Sequence, residues 1–375
     1  MINIVDKSKC CGCSACVQVC PKQCIQMQED NEGFLYPLVD TQTCIQCSLC
    51  EKICPELHPS EEREPLSVYA AKNNNDEVRL SSSSGGIFTL IAERIIDEGG
   101  VVFGARFDEK WEVCHSMATT KEDLKPFRGS KYVQSRIGTT FKQVKVCLNL
   151  GKWVLFSGTP CQVAGLKHYL RRDYENLITL DFVCHGVPSP KVWRSYLSEV
   201  RNNHQVSNIC FRDKVQSWKN YKISIDLERV ESLRKSENYG TNLYMNAFLS
   251  NIVLRPSCYD CAVKCGKSGS DITLGDFWGI EHVLPDFDDD KGCSLLLVHS
   301  SKILEYLDCP KVAVNMTDAL VKNPSILYSV NVPMNRKYFF HVFNNTNNFH
   351  SSYKKATDMK LSFRVRRLIF RKLGI

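Results

Sequence analysis

No stretch of the chain is apolar over the ~18 consecutive positions that a helix needs to cross a bilayer, so the sequence excludes a transmembrane helix. The opening Met1-Ile2-Asn3-Ile4-Val5-Asp6-Lys7 lacks the basic start and apolar stretch of a secretory signal, and a cytoplasmic protein is expected. Net basic charge is missing from the body of the chain. The net charge is +7, and eight Lys or Arg between Lys354 and Lys372, set against Asp358 alone, account for all of it. A neutral body with a basic tail offers no basic face for nucleic acid. The rest of the composition, 43% hydrophobic and 24% charged, is that of a globular protein, and 375 residues predict a small unit beside a larger one with a full core.

What the sequence has in excess is cysteine, with twenty residues. In a reducing cytosol, clustered thiols at short fixed spacings bind metal more readily than they form disulfides. Cys10, Cys13, Cys16 and Cys20 followed by Pro21 make C-x2-C-x2-C-x3-C-P, and Cys44, Cys47, Cys50 and Cys54 followed by Pro55 repeat it. The first three cysteines of such a run face one cubane, while the fourth reaches the other cluster. Cys10, Cys13 and Cys16 with Cys54 are therefore expected to hold one 4Fe-4S cluster, and Cys44, Cys47 and Cys50 with Cys20 the second. Zinc is the competing occupant, since its thiolate sites also use CxxC pairs. Cys11 and Cys24 fall outside the pattern and read as small side chains. Residues 1–57 resemble a bacterial-type dicluster ferredoxin domain, which folds around its clusters. Two such clusters pass single electrons and perform no substrate chemistry. A polar, proline-containing linker, 58–67, leads into something larger.

The region from 68 to 330 reads as mixed α/β. Ser81-Ser-Ser-Ser-Gly-Gly86 precedes a helix over 87–98, and its serines and glycines suit either a phosphate or a plain N-cap. A strand over 101–107 follows. Trp153–Ser157 predicts a buried strand, Gly158-Thr-Pro-Cys161-Gln162 a turn into a helix, and Leu177–Val183 a second strand that ends in Cys184-His185-Gly186. Alternating strands and helices imply parallel pairing, with Cys161 and Cys184 on the edge where open α/β sheets bind ligands. At the start of a helix, Cys161 is also expected to be favoured as thiolate. Cys258 and Cys261 form a CxxC pair, which with Cys161 and Cys184 makes a four-thiol set for a third centre, and Cys265 is a substitute. Iron-sulfur, zinc and unligated thiols are the alternatives. Asp276, in Gly-Asp-Phe-Trp, reads as a functional acid or a turn former.

These motifs together resemble the beta-subunit family of coenzyme F420 hydrogenases and dehydrogenases. The resemblance runs from residue 10 to about 285 and is carried by the two cysteine runs, Ser83-Ser84-Gly85-Gly86, Arg128-Gly-Ser-Lys131-Tyr-Val-Gln134-Ser135, Gly158-Thr-Pro-Cys-Gln162, Cys184-His-Gly186, the Cys258/Cys261 pair and Gly275-Asp-Phe-Trp-Gly279. It implies an FAD-containing reductase domain over 68–330 with its own 4Fe-4S cluster, fed by the ferredoxin unit. Ser83, Ser84, Gly85, Gly86, Lys131, Gln134 and Ser135 are then expected to touch the flavin. His185 is read as a proton donor or as a structural hydrogen-bond partner. Relatives lie among genes for surface polysaccharides, and the acceptor is left open.

The expected activity is transfer of electrons from ferredoxin or another redox protein, through the clusters, to FAD and on as hydride to a small-molecule acceptor. The rival is an adapter without a substrate site, docked on a larger redox complex. The segment 331–375 reads as a basic tail, in which 361–373 mixes basic and apolar residues and forms either a packed surface helix or a peripheral membrane contact.

Overall fold

The structure, a computed structural model, describes residues 1–228 and 233–358. The basic run expected to meet a membrane, from 359 on, lies outside the described residues. The small N-terminal unit holds helix α1 (Ala15–Val19), the hairpin of β1 (Ile25–Glu29) and β2 (Leu35–Val39), and helix α2 (Leu49–Lys52). The sequence repeat becomes a structural one. Ser14 and Ser48, each between the second and third cysteine of its run, both adopt left-handed backbone, φ 61° and 56°, and each opens its short helix.

The large domain is built on an eight-stranded sheet. Its strands are β3 (Ser67–Ala71), β4 (Val101–Phe107), β5 (Val113–Ala118), β6 (Val154–Ser157) and β7 (Leu177–Phe182), and later in the chain β11 (Ile272–Asp276), β12 (Ser294–Val298) and β13 (Lys311–Ala313). The spatial order is β13-β3-β12-β11-β7-β6-β4-β5. β4, β6, β7 and β11 are mutually parallel, and β3 shares their direction across the antiparallel β12. Five carboxyl ends therefore lie on one edge.

Helices cover both faces, because successive strand residues point to opposite sides. Leu155 and Ile178 pack with Ile91 and Ile95 of helix α4 (Ile87–Asp97), which follows the short α3 (Asp76–Ser81). Val154, Phe156 and Leu177 pack on the other side, against α5 (Thr140–Asn149) and α6 (Pro160–Leu170). α6 begins three residues before the predicted Val163, since Thr159 and Gln162 close a capping box around Pro160 and Cys161.

Between β7 and β11 the chain makes an extension that the sequence patterns did not reveal. After α7 (Pro190–Arg201) come β8 (Gln205–Asp213), β9 (Lys222–Glu228) and β10 (Leu233–Asn238) in an antiparallel sheet, then α8 (Leu243–Leu249). Trp193, Tyr196, Phe211 and Tyr244 form its aromatic core. The segment after 330, in which no motif was found, supplies a helix, Arg336–Thr346, whose Phe339 and Phe343 enter the same core.

The small unit is docked on the large one. Arg336 pairs with Glu32 through Nη1 at 2.8 Å, Arg194 reaches Glu29 at 2.6 Å, and Lys191 Nζ donates to the Asn31 carbonyl at 3.1 Å. Gly33 permits the approach: at φ +89°, a Cβ there would lie 2.2 Å from that of Lys191.

Candidate functional site

Of the four thiols expected to form the first set, Cys13 is buried and Cys10, Cys16 and Cys54 are partly buried. Cys16 is held up at about 12 by burial and by the negative charge of Cys10, Cys54 and Cys50. Burial also raises Cys54, with Cys10 adding to it, and Cys16 and Cys54 add to the rise at Cys13. Cys16 thus feels the charge of Cys10 and Cys54, and of Cys50 in the other run, while Cys13 feels Cys16 and Cys54. Cys20, Cys44, Cys47 and Cys50 line one cavity together with Cys24. Cys47 is exposed, so this second set lies at the protein surface. Cys24, left out of the pattern, comes to 3.4 Å from Cys20, Sγ to Sγ, and burial with that contact pushes it up to about 11.

The third set also converges. Cys184 is raised to about 12 by burial, with Cys161 and Cys261 opposing its ionisation. Cys258 is raised by burial and then by Cys184, and Cys261, pushed up to about 11, feels burial first and Cys161 next. Cys265 stands apart, its neighbours being Glu62, Lys267 and Lys264 and its thiol directed at the Leu327 carbonyl at 3.5 Å. The helix start does not favour a thiolate at Cys161. Its contact with Cys11 and its burial raise the thiol well above the ordinary range.

Four partly buried thiols that oppose one another's ionisation cannot all ionise without a cation among them, and metal binding releases their protons. Among the described residues, no group of three or more His, Cys, Asp or Glu is arranged around a single ion. A cubane is larger than one ion and spreads its thiolates over its corners, so the three sets fit such a group in donor chemistry.

Two contacts join the first set to the third. Cys11, buried, lies against both Cys13 and Cys161, and Glu56 beside it is raised to about 6 by burial. One turn along α6 from Cys161, Gly165 lies so near the first set that a Cβ would be 2.8 Å from the Cys13 Cβ and 2.9 Å from its Sγ. Neither Gly165 nor Glu56 carries a sequence signal.

Most of the expected flavin residues already have partners within the protein. Ser83 Oγ accepts from the Ser130 amide at 2.6 Å, and Ser84 Oγ donates to the Cys293 carbonyl at 2.7 Å. Gly85 is needed where the loop crosses the sheet, because a Cβ would meet the Ala71 oxygen at 2.5 Å, and Gly86 is the left-handed N-cap of α4. Lys131 Nζ donates to the carbonyls of Phe127, Arg128 and Gly129, and burial lowers it to about 7. Gln134 donates to the Cys11 carbonyl at 3.0 Å, so it faces the ferredoxin unit. Ser135 joins His115 at 3.1 Å and accepts from Gln162 at 2.9 Å.

Asp276 ends β11 and sits in no turn, which removes the turn-former reading. Its carboxylate accepts from Arg212 Nη1 at 2.9 Å and from the Trp218 indole at 3.3 Å. Arg212 was not anticipated. It is 4% exposed, stacks over Tyr221 at 4.0 Å and Trp278 at 5.0 Å, and its Nε is a buried donor without a partner. Lys214, two residues on, donates to the carbonyls of Arg79, Ser84 and Lys291, with burial lowering it to about 7. His185 meets Asn251 Oδ1 at 2.7 Å and the edge of Phe248, and burial disfavours its protonated form.

Residues 9–57 match a 4Fe-4S dicluster domain. Residues 68–142 match the coenzyme F420 hydrogenase/dehydrogenase beta subunit N-term, and residues 151–317 the same family's C terminus. No curated protein matches the chain. Among solved structures, a chain of the F420-reducing NiFe hydrogenase complex from Methanosarcina barkeri is similar, with 17% identity and a TM-score of 0.47 over 80% of this chain and 94% of that one. With both halves of one family matched in order behind a dicluster segment, the protein is an iron-sulfur electron-transfer protein and belongs to the coenzyme F420 hydrogenase/dehydrogenase beta-subunit family.

Proposed function

We propose that the chain is a ferredoxin-linked iron-sulfur flavoenzyme that reduces a small organic acceptor. Its division is 1–57 as the ferredoxin domain, 58–67 as the linker and a reductase domain from 68 that runs past the expected boundary at 330, since the helix Arg336–Thr346 enters its core. The observation that carries the reading is the third thiol set. Cys161, Cys184, Cys258 and Cys261 come together at the carboxyl edge of the sheet, and Cys11 and Gly165 join them to the first set.

Cys10, Cys13, Cys16 and Cys54 would hold one 4Fe-4S cluster, Cys20, Cys44, Cys47 and Cys50 the next, and the large-domain set a third. When bound, the clusters carry single electrons and FAD pairs them into a hydride. The chain supplies the order. Exposed Cys47 would leave the second set open to a donor protein, and α6 presents Cys161 one turn from the notch that receives Cys13. In this reading FAD would lie at the carboxyl edge beside Ser83 and Asp276. There the unpartnered Arg212 Nε offers a donor, and Lys131 and Lys214 are held by carbonyls. His185 and Asp276 are the residues proposed to handle a proton, with the acceptor drawn from surface-polysaccharide metabolism.

A second reading has its own support. Ser83, Ser84, Lys131, Gln134 and Ser135 are satisfied by protein partners, which suits an adapter that passes electrons only to a larger complex. Iron, sulfide, zinc and flavin quantified on one anaerobic sample separate the two. About twelve irons with one FAD per chain support the flavoenzyme, whereas about eight irons with zinc and no flavin support the adapter.

A further inference from the structure

Arg255 is 0% exposed, and among the described residues it forms no ion pair with a carboxylate. A buried cation without an anion is among the costliest arrangements in a fold, so its surroundings should reveal the missing charge. Its Nε donates to the Cys10 carbonyl at 2.7 Å, Nη1 to Gln134 Oε1 at 3.0 Å and Nη2 to the Leu35 carbonyl at 2.9 Å, all of them neutral acceptors. Nη2 also lies 3.6 Å from Cys10 Sγ. Tyr36 and Phe34 face the guanidinium, with ring centroids at 4.3 and 5.4 Å.

The loop of the first cysteine run is shaped around this side chain. Gly12 has φ +74°, and a Cβ on it would lie 2.8 Å from Arg255 Nη1 and 3.0 Å from Gln134 Nε2. At the other end of the residue, the Arg255 carbonyl accepts from the Cys258 amide at 3.0 Å, closing the turn that presents the third set's Cys258 and Cys261. One residue therefore reaches a ligand of the first set with its side chain and braces a ligand of the third with its backbone. The groups whose ionised forms would favour its cation are Cys10, Tyr36, Cys11 and Cys258, which without a cluster are neutral until they themselves ionise, and Arg255 in turn favours ionisation of the Glu56 carboxyl.

We propose that Arg255 is the shared counter-cation of the first N-terminal cluster and the large-domain cluster, and that it raises the reduction potential of both. Reduction adds one negative charge to a cluster. A fixed cation in a medium of low dielectric stabilises the reduced form more than the oxidised one, and an N–H directed at a ligand sulfur acts in the same direction. The second N-terminal cluster, held by Cys20, Cys44, Cys47 and Cys50, is not a neighbour of Arg255 and is left unaffected. Arg255 is on this account a positioning residue for electron transfer, matching the two clusters between which an electron crosses from one domain to the other. The large-domain half of the proposal rests on the third cluster of the proposed function, and the first-cluster half does not.

The test is a redox titration followed by electron paramagnetic resonance on full-length, anaerobically purified protein, comparing wild type, R255K and R255Q at measured iron content. In R255Q with full iron, two of three midpoints become more negative and the third stays. R255K, which keeps the charge without the fork, gives smaller shifts of the same sign. Unchanged midpoints in R255Q, or an equal shift of all three, overturn the proposal. Should both variants lose iron, wild-type protein grown with nitrogen-15 arginine decides: electron-nuclear double resonance of the reduced first cluster shows an arginine coupling, and its absence overturns the proposal. About eight irons in the wild type, two clusters' worth, would remove the third cluster. The midpoint of the first cluster would still test Arg255.

Discussion

Gly165→Ala offers a sharp test of how the two domains meet, because two physical effects predict opposite signs. Gly165 lies inside α6, where replacement by alanine ordinarily stabilises by about 1 kcal/mol. Its missing Cβ, however, would lie 2.8 Å from the Cys13 Cβ and 2.9 Å from its Sγ, against the ~3.5–4.0 Å of a relaxed carbon contact. Relief requires α6 and the first cysteine loop to part by somewhat under an ångström. Cys13 cannot rotate away if its sulfur is fixed to a cluster. Overpacking of this kind costs about 1–3 kcal/mol, so the net effect runs from near zero to about 2 kcal/mol of destabilisation. The assay is the rate at which the visible absorbance bleaches in denaturant under anaerobic conditions, with iron counted before and after. Loss of 2 kcal/mol in the opening step accelerates bleaching up to about thirtyfold. A Gly165→Ala protein that bleaches more slowly than wild type and keeps its iron would refute the contact between α6 and the first cluster loop.

Three further outcomes follow from the same geometry. Serine at Cys161, Cys184, Cys258 or Cys261 should each remove about four irons per chain, while Cys265→Ser should keep them all, as colorimetric iron assay will show. Asp276→Asn leaves the buried Arg212 guanidinium without its anion and should destabilise the protein by about 3 kcal/mol, measured as a fall in the denaturation midpoint. Burial lowers His115 from its ordinary 6.5 to about 4, so the unfolded chain takes up a proton at a higher pH than the fold does. The stability from its neutral ring is complete above pH 6.5 and is lost as pH falls toward 4. In His115→Gln the decline of stability across that window should be shallower than in the wild type, and parallel curves would count against the buried neutral ring.

Local spacing alone determined a good part of this protein. Two C-x2-C-x2-C-x3-C-P runs mark a dicluster 4Fe-4S domain, because the cubane dictates a short loop of fixed cysteine spacing, and Ser14 and Ser48 repeat the same backbone in each. The apolar runs at Val154–Phe156 and Leu177–Leu180 read as parallel strands because both of their faces are buried, and such strands leave their carboxyl ends on one edge. That reasoning placed Cys161 and Cys184 together. What it did not reach were partners far apart in the chain with no pattern of their own. Gln134 read as a flavin contact, yet in the fold it holds the Cys11 carbonyl and Arg255. Asp276 read as a functional acid or a turn former, and from the end of its strand it balances Arg212, 64 positions away. Arg255 stood in plain view three residues before Cys258, but only docking of the two domains brings Cys10 to it across 245 residues. Ligand spacing is a property of short loops and survives in the sequence. The balance of buried charge depends on which surfaces meet, and tertiary packing alone decides that.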